Sequence, residues 1–135
     1  MISTEGRNDS MTVVSWDFDD TLAEYSSAGW DGYVLVCIPK FLDLLKEYYA
    51  LGCKCIILTA RMPDELNLSE IERFLKDHDI EHMVSDIVFT SHKLKGPFAK
   101  AMDVNLHYDD SEPQLESVRS VGIQAISSVK QILNL

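Results

Sequence analysis

"VVSWDFDDTL" (residues 13–22) is the stretch whose reading decides the fold. Val13, Val14 and Trp16 form the β-branched and aromatic run of a short strand. Asp17, Asp19 and Asp20 then crowd into four positions directly behind it. Neighbouring carboxylates repel one another, so such a cluster needs donors or a cation to be tolerable. Residues i and i+2 leaving a strand reach the same small site if the chain turns after the first of them.

Outward from this stretch the chain alternates strand-like and helix-like segments. "PKFLDLLKEYYALG" (39–52) starts with Pro, ends with Gly and repeats Phe41, Leu44, Leu45, Tyr48 and Leu51 at helical spacing. "KCIILTA" (54–60) reads as a buried strand and "LSEIERFLKDHDI" (68–80) as a helix with Ser69 at its N-cap. Strand "DIVFT" (86–90), helix "GPFAKAM" (96–102) and strand "VNLHYDD" (104–110) follow. Helix "EPQLESVRSVG" (112–122), strand "IQAIS" (123–127) and a closing helical turn in "VKQILNL" complete the series. Strands separated by helices imply βαβ crossovers. The expected fold is α/β, a Rossmann-like three-layer α/β/α sandwich with a parallel five-stranded sheet. One domain spans the 135 residues, with residues 1–11 as a flexible lead-in.

Ligands of such open sheets bind beyond the carboxyl ends of the strands. After the first strand stand Asp17, Asp19 and Thr21; after the second, Thr59 and Arg61. Ser91, Lys93 and Lys95 follow the third strand, and Asp109 and Asp110 end the fourth. Acids, hydroxyls, an arginine and a lysine on one rim suit a divalent cation together with a phosphate-like anion.

These motifs, "DFDDTL", "LTAR", a Lys ahead of the last site, and "YDD", resemble the four motifs of the haloacid dehalogenase (HAD) superfamily, over residues 12 to about 127. A weaker likeness is to the phosphatase domain of polynucleotide kinase-phosphatases. The resemblance implies a Mg²⁺-dependent phosphatase. It makes Asp17 the nucleophile, Asp19 the general acid and base, and Thr59 a phosphoryl-oxygen donor. A lysine neutralises the phosphate. Lys95, ahead of Phe98 and Met102, matches the family's third motif better than Lys93, but both stay open, as does Lys100. Asp17, the Asp19 carbonyl, Asp109 and Asp110 would hold Mg²⁺. Arg61 and Thr21 are candidate substrate contacts. The position of Asp20 is often Gly in the family, and Asp20 reads as a turn residue.

Family members usually carry a cap domain between the first and second motifs or between the second and third. Neither gap here is long enough, so the chain resembles a capless member. Residues 23–36 correspond to the family's flap, and Trp30 and Tyr33 in it form a lid or pack on the core. An open site implies a bulky phosphorylated substrate or a second copy of the chain as cover. Nucleotides, nucleic-acid ends, phosphoproteins and sugar phosphates all remain.

Net charge is −10, which disfavours strong non-specific binding to nucleic acid or to an anionic membrane. No stretch reaches the length of about 18 apolar residues that spans a bilayer. The first residues lack the apolar core of a signal peptide, so the expected compartment is the cytoplasm. Cys37, Cys53 and Cys55 read as small buried side chains, since no Cys-x-x-Cys spacing occurs. His107 reads as a core residue and His92 as a possible substrate contact, while His78 and His82 straddle a helix end. The competing readings are a dehalogenase of the same fold, a phospho-acceptor receiver domain, or a non-catalytic phosphate-binding module. A receiver carries its phosphorylated Asp after the third strand, where this chain has Ser91 and lysines.

Overall fold

The computed structural model describes residues 11–27 and 33–129. Its elements are β1 (Val13–Trp16), β2 (Ala23–Ser27), β3 (Tyr33–Cys37), α1 (Pro39–Ala50), β4 (Lys54–Thr59) and α2 (Glu65–Asp77). A 3-10 turn (Glu81–Met83), β5 (Val84–Phe89), α3 (Gly96–Ala101), β6 (Leu106–Asp109), α4 (Glu112–Ser120) and β7 (Gln124–Ser127) follow.

Five strands form one parallel sheet in the order β5-β4-β1-β6-β7. The chain leaves β1 towards β4 and β5, then returns to β6 on the other side. The switch point therefore lies between β1 and β6, whose carboxyl ends carry Asp17 and Asp109.

Alternation along each strand sorts the sheet into two faces. Val14, Trp16, Cys55, Ile57 and Tyr108 pack with Phe41 and Leu45 of α1 and Ile71, Phe74 and Leu75 of α2. Val13, Ile56, Leu58 and Ala125 pack with Ala99 of α3 and Leu115 and Val118 of α4. This is the three-layer sandwich that strand and helix alternation implies. The first face is aromatic: Trp16 stacks on Tyr108 at 5.9 Å between ring centroids, and the Tyr48 and Tyr108 hydroxyls lie 3.1 Å apart.

Among the boundaries that differ from the sequence reading, three have a local physical cause. Helix α2 starts at Glu65, not near Ser69, because the Asp64 carboxylate accepts from the Asn67 N–H at 2.8 Å and caps it one turn earlier. β5 begins at Val84, extended by pairing to Cys55 of β4. Leu51, counted into the apolar stripe of α1, is the C-cap and 78% exposed.

The described residues of the flap stretch form a two-stranded antiparallel hairpin, β2 on β3, with Tyr25 opposite Leu35. Leu35 and Cys37 turn to the aromatic core, while Val34 and Val36 face outwards. Trp30, the Tyr33 side chain, residues 1–10 of the lead-in and residues 130–135 lie outside the described residues. Between Asp17 and Thr59 the described residues form only this hairpin, α1 and the start of the sheet; between Thr59 and Lys95 they form α2, the 3-10 turn and β5. No helix among the described residues is long and apolar enough to cross a membrane.

The cap assignment makes a discriminating pair of variants. Asp64→Ala should destabilise the chain by about 1 kcal/mol, or about 3–5 °C in Tm. Ser69→Ala, in the second turn, should leave the melting curve unchanged.

Candidate active site

Asp17 is fixed at the end of β1 by its own backbone, whose N–H donates to the Tyr108 carbonyl at 2.9 Å. The next residue buries its ring: Phe18 is fully enclosed and meets Phe74 edge-on at 5.1 Å. The Phe18 carbonyl then accepts from Leu22 and Ala23 at 3.1 and 3.0 Å, so the chain turns sharply. Asp20 sits in that turn with φ of 62°, a left-handed conformation that Asp tolerates better than most residues. It is exposed, as a turn residue should be. Thr21 is fully buried, with its hydroxyl 3.0 Å from that of Ser128.

Lys95 is the centre of the site. Its side chain is 1% exposed, and Nζ donates to Asp17 Oδ1 at 2.8 Å and Asp109 Oδ2 at 2.7 Å. Burial alone would favour the neutral amine, but the two carboxylates hold its pKa above the ordinary value. Lys93 is exposed, and its backbone only ties the loop, the carbonyl accepting from Thr90 Oγ1 at 3.0 Å. Lys100 lies exposed on the last turn of α3.

Lys95 reaches this position because α3 begins at the next residue and lies tight against α4. Its N–H donates to Gln114 Oε1 at 2.8 Å, and the Gly96 N–H donates to Ser117 Oγ at 2.9 Å. A Cβ at Gly96 would collide with the Ser117 carbonyl oxygen and lie 2.7 Å from its hydroxyl. Glycine is required there by close approach.

Asp109 is fully buried at the end of β6 and pinned from several sides. His107 Nε2 lies 2.8 Å from the same Oδ2 that Lys95 holds, and the Ser111 N–H donates to Oδ1 at 3.1 Å. Burial would raise the Asp109 pKa, but His107 and Lys95 overcome it and set it at about 2. His107 is itself fully buried, which keeps its pKa below the ordinary value, and its Nδ1 lies 2.7 Å from Ser15 Oγ.

Asp17 behaves in the opposite way. Burial pushes its pKa well up; Lys95 pulls it down, but Asp109 adds repulsion and Asp110 a side-chain hydrogen bond that favours the protonated form. Asp110 is also raised, chiefly by burial. Two carboxyl groups share a hydrogen bond only through a proton, so the crowding of Asp17 and Asp110 is relieved by a proton or by a cation. Asp17, Asp109 and Asp110 can each offer a carboxylate oxygen, all within 4.8 Å of one another. An all-oxygen, carboxylate-rich set fits a hard divalent cation such as Mg²⁺.

The Asp19 side chain is outside that cluster. Arg61 holds it as a fork, Nε to Oδ2 at 2.9 Å and Nη2 to Oδ1 at 2.8 Å. Arg61 Nη1 also donates to Glu70 and to Asn67 Oδ1, Nη2 to the Tyr25 hydroxyl, and the guanidinium lies 5.1 Å over the Phe18 ring. Its bonds to Asp19 and Glu70 keep its pKa above the ordinary value despite burial. Thr59, fully buried, accepts the Arg61 N–H on Oγ1 at 3.3 Å, which leaves its hydroxyl proton free to donate. Ser91 and His92 form the neighbouring loop with φ of 55° and 66°; their N–H groups donate to the Arg61 and Ala60 carbonyls.

The structure thus brings together Asp17, Lys95, Asp109 and Asp110, with Asp19, Arg61 and Thr59 on the adjoining side. It leaves Thr21 in a buried contact. Glu70, Asn67, Tyr25, Gln114 and His107 take part without having been singled out for the site from sequence. His107 carried one signal: it stands two positions before Asp109, on the same face of the strand.

No protein-family model matches the chain, and no curated protein matches it in sequence. Solved structures do match. A chain of the Pnkp1/Rnl/Hen1 RNA repair complex aligns with TM-score 0.68 and 16% identity over 92% of this chain. This chain spans only 44% of the length of that one. The core domain of a protein provisionally assigned as a phosphoglycolate phosphatase, from Streptococcus pneumoniae TIGR4, aligns with TM-score 0.55 and 19% identity over 87% of this chain and 79% of that one. A hydrolase from the same organism gives TM-score 0.59 and 11% identity over 93% and 99% of the two chains. At these identities the likeness is one of fold, and it agrees with the HAD-like architecture implied by the four motifs.

Two variants test the electrostatic and steric design. Gly96→Ala should cost about 1–3 kcal/mol by overpacking α3 on α4, read as a lowered Tm. For Asp17 the folded pKa is raised, so its contribution to stability is complete below the unfolded pKa and is lost as pH rises through the folded value. In EDTA, Asp17→Asn should therefore melt higher than the wild type at pH 7–8, and the gap should close towards pH 4. A variant that melts lower throughout would overturn this assignment of strain to Asp17.

Proposed function

We propose that the chain is a Mg²⁺-dependent phosphomonoesterase that works through an aspartyl-phosphate on Asp17. The observation that carries the reading is the buried Lys95 ammonium, held 2.8 Å from Asp17 and 2.7 Å from Asp109 beside the carboxylate of Asp110. That set offers a nucleophile, a fixed cation and a divalent-metal site at one strand-end rim. Asp17, Asp109 and Asp110, with the Asp19 carbonyl, would hold Mg²⁺, which supplies positive charge against the phosphoryl oxygens.

In the first step an Asp17 carboxylate oxygen attacks phosphorus and the ester P–O bond breaks. Asp19 gives its proton to the departing oxygen. In the second step water attacks the same phosphorus, Asp19 takes the water proton, and the bond to Asp17 breaks to release phosphate. Lys95 balances charge on Asp17 and on the phosphoryl group throughout. The Thr59 hydroxyl donates to a phosphoryl oxygen, the role left to it once its lone pair accepts the Arg61 N–H.

Asp19 begins with both oxygens on Arg61. It must give up one of these bonds and take a proton from solvent on the freed oxygen before its first proton transfer, and the freed N–H of Arg61 then points to the incoming phosphate. Phosphate binding and acid release are one exchange of partners in this scheme.

With only a hairpin and one helix between Asp17 and Thr59, the described residues place no cap domain over the site. The substrate is then a phosphomonoester with a bulky leaving group, or a second copy of the chain supplies the cover. The RNA repair neighbour adds a phosphorylated oligonucleotide end to the classes worth screening, beside nucleotides, phosphopeptides and sugar phosphates. The net charge of −10 favours contact with the end over contact along a strand.

The test is phosphate release from an aryl phosphate and from that panel. Activity should vanish in EDTA and return with Mg²⁺. Asp17→Asn should lose more than about 10³-fold in kcat while remaining folded. Full activity in that variant would sink the assignment of the nucleophile.

A further inference from the structure

Asp109 has two oxygens, and the fold treats them differently. Oδ2 receives two contacts from inside the protein, Lys95 Nζ at 2.7 Å and His107 Nε2 at 2.8 Å. Oδ1 has the Ser111 N–H at 3.1 Å. Behind His107 stands Ser15, its Oγ 2.7 Å from Nδ1 and 92 residues away in the chain. All of these side chains except Ser111 are buried to the point of losing water: Ser15, His107 and Asp109 are 0% exposed and Lys95 1%.

Donor counting sets the protons. A carboxylate already serving Lys95 has only lone pairs to offer, so the shared proton belongs to His107 Nε2. A neutral ring then has a bare Nδ1, and only the Ser15 hydroxyl can donate to it. The line runs Ser15 O–H to Nδ1, then Nε2–H to Asp109 Oδ2. With two donors already on Oδ2, Oδ1 is the oxygen of Asp109 with more capacity left for a cation shared with Asp17 and Asp110.

We propose that His107, locked in its Nε2–H tautomer by Ser15, is a positioning residue that fixes which oxygen of Asp109 faces the divalent cation. This rests on the metal-dependent reading above and deepens it. His107 touches neither substrate nor reacting atoms. Its effect is on how tightly the cation is held, because an Asp109 free to rotate presents either oxygen and loses part of its binding energy in being ordered.

The experiment has two arms. The first titrates the purified chain with Mn²⁺, following free Mn²⁺ by electron paramagnetic resonance. His107→Leu should bind Mn²⁺ at least about 10-fold more weakly than the wild type. His107→Gln, whose amide N–H reaches the place of Nε2, should recover most of that loss, a rescue that a mere space-filling role would not give. Ser15→Ala keeps the ring and should weaken binding by a smaller factor; it carries the test if His107→Leu does not fold. Unchanged Mn²⁺ affinity in both His107→Leu and Ser15→Ala would overturn the proposal. The second arm reads the His107 tautomer by ¹⁵N NMR in metal-free wild-type protein at pH 7.5. A proton on Nε2 with a bare Nδ1 is expected, and a proton on Nδ1 overturns the proposal. A wild type that takes up no Mn²⁺ sinks the metal-dependent reading, and the tautomer then still decides the His107–Asp109 arrangement.

Discussion

One buried ammonium organises this molecule. Lys95 is removed from water between two carboxylates, and neither partner is near it in sequence: Asp17 is 78 positions away. A buried ion pair of this kind gives little net stability, because the charges lose their hydration when they meet. A Lys95 ammonium left without either carboxylate would be an uncompensated buried charge, which costs far more than the set returns. The three elements that supply these groups, the ends of β1 and β6 and the start of α3, are therefore bound to one relative placement. Gln114 and Ser117 of α4 complete that placement by gripping the backbone at Lys95 and Gly96. The acids exceed the cations at this rim, and the raised pKa of Asp17 is the sign that the protein alone does not settle the balance.

Much of this was legible in the sequence because strands have a period of two and acids stood at their ends. Asp17 and Asp109 stand at the carboxyl ends of strands, so their convergence on one rim followed from the βαβ alternation alone. The choice of lysine did not follow from periodicity. It depends on where α3 starts and on how closely it approaches α4, which is a matter of Gly96 against Ser117. The start of α2 was misplaced because Asp64 and Ser69 are both acceptable N-caps, and local chemistry does not rank them. The hairpin was missed as a pair of strands because "AEYSS" carries a weak β signal, although its partner "YVLVC" carries a strong one. His107 was correctly placed in the interior, but a buried polar ring needs partners, and those lie on β1 and at its own strand end.

The residues around Asp19 show the limit of motif reading more clearly. Only Phe18 separates Asp17 from Asp19, yet the two aspartates belong to different surroundings. Asp17 lies with Lys95, His107 and Ser15 on the side of the sheet covered by α3 and α4. Asp19 is held by Arg61, which rests on Phe18, and through Glu70 and Tyr25 it is tied to α2 and the hairpin. Phe18 is the divider, buried against Phe74 of α2.

That division has a consequence for how the molecule can change. The proposed nucleophile, Asp17, and its counter-ions take their support from one hydrophobic core, and Asp19, the proposed proton-transferring acid, takes its support from the other. Substitutions beneath α2, at Phe74 or Ile71, reach Asp19 through Phe18 and Arg61 while the Lys95 cluster keeps its own foundation. Energies at distant sites with separate partners add, whereas those sharing a network do not. The two halves of the proposed site are thus separately adjustable: the surroundings of Asp19 can drift with α2 and the hairpin, while those of Asp17 stay anchored to α3 and α4.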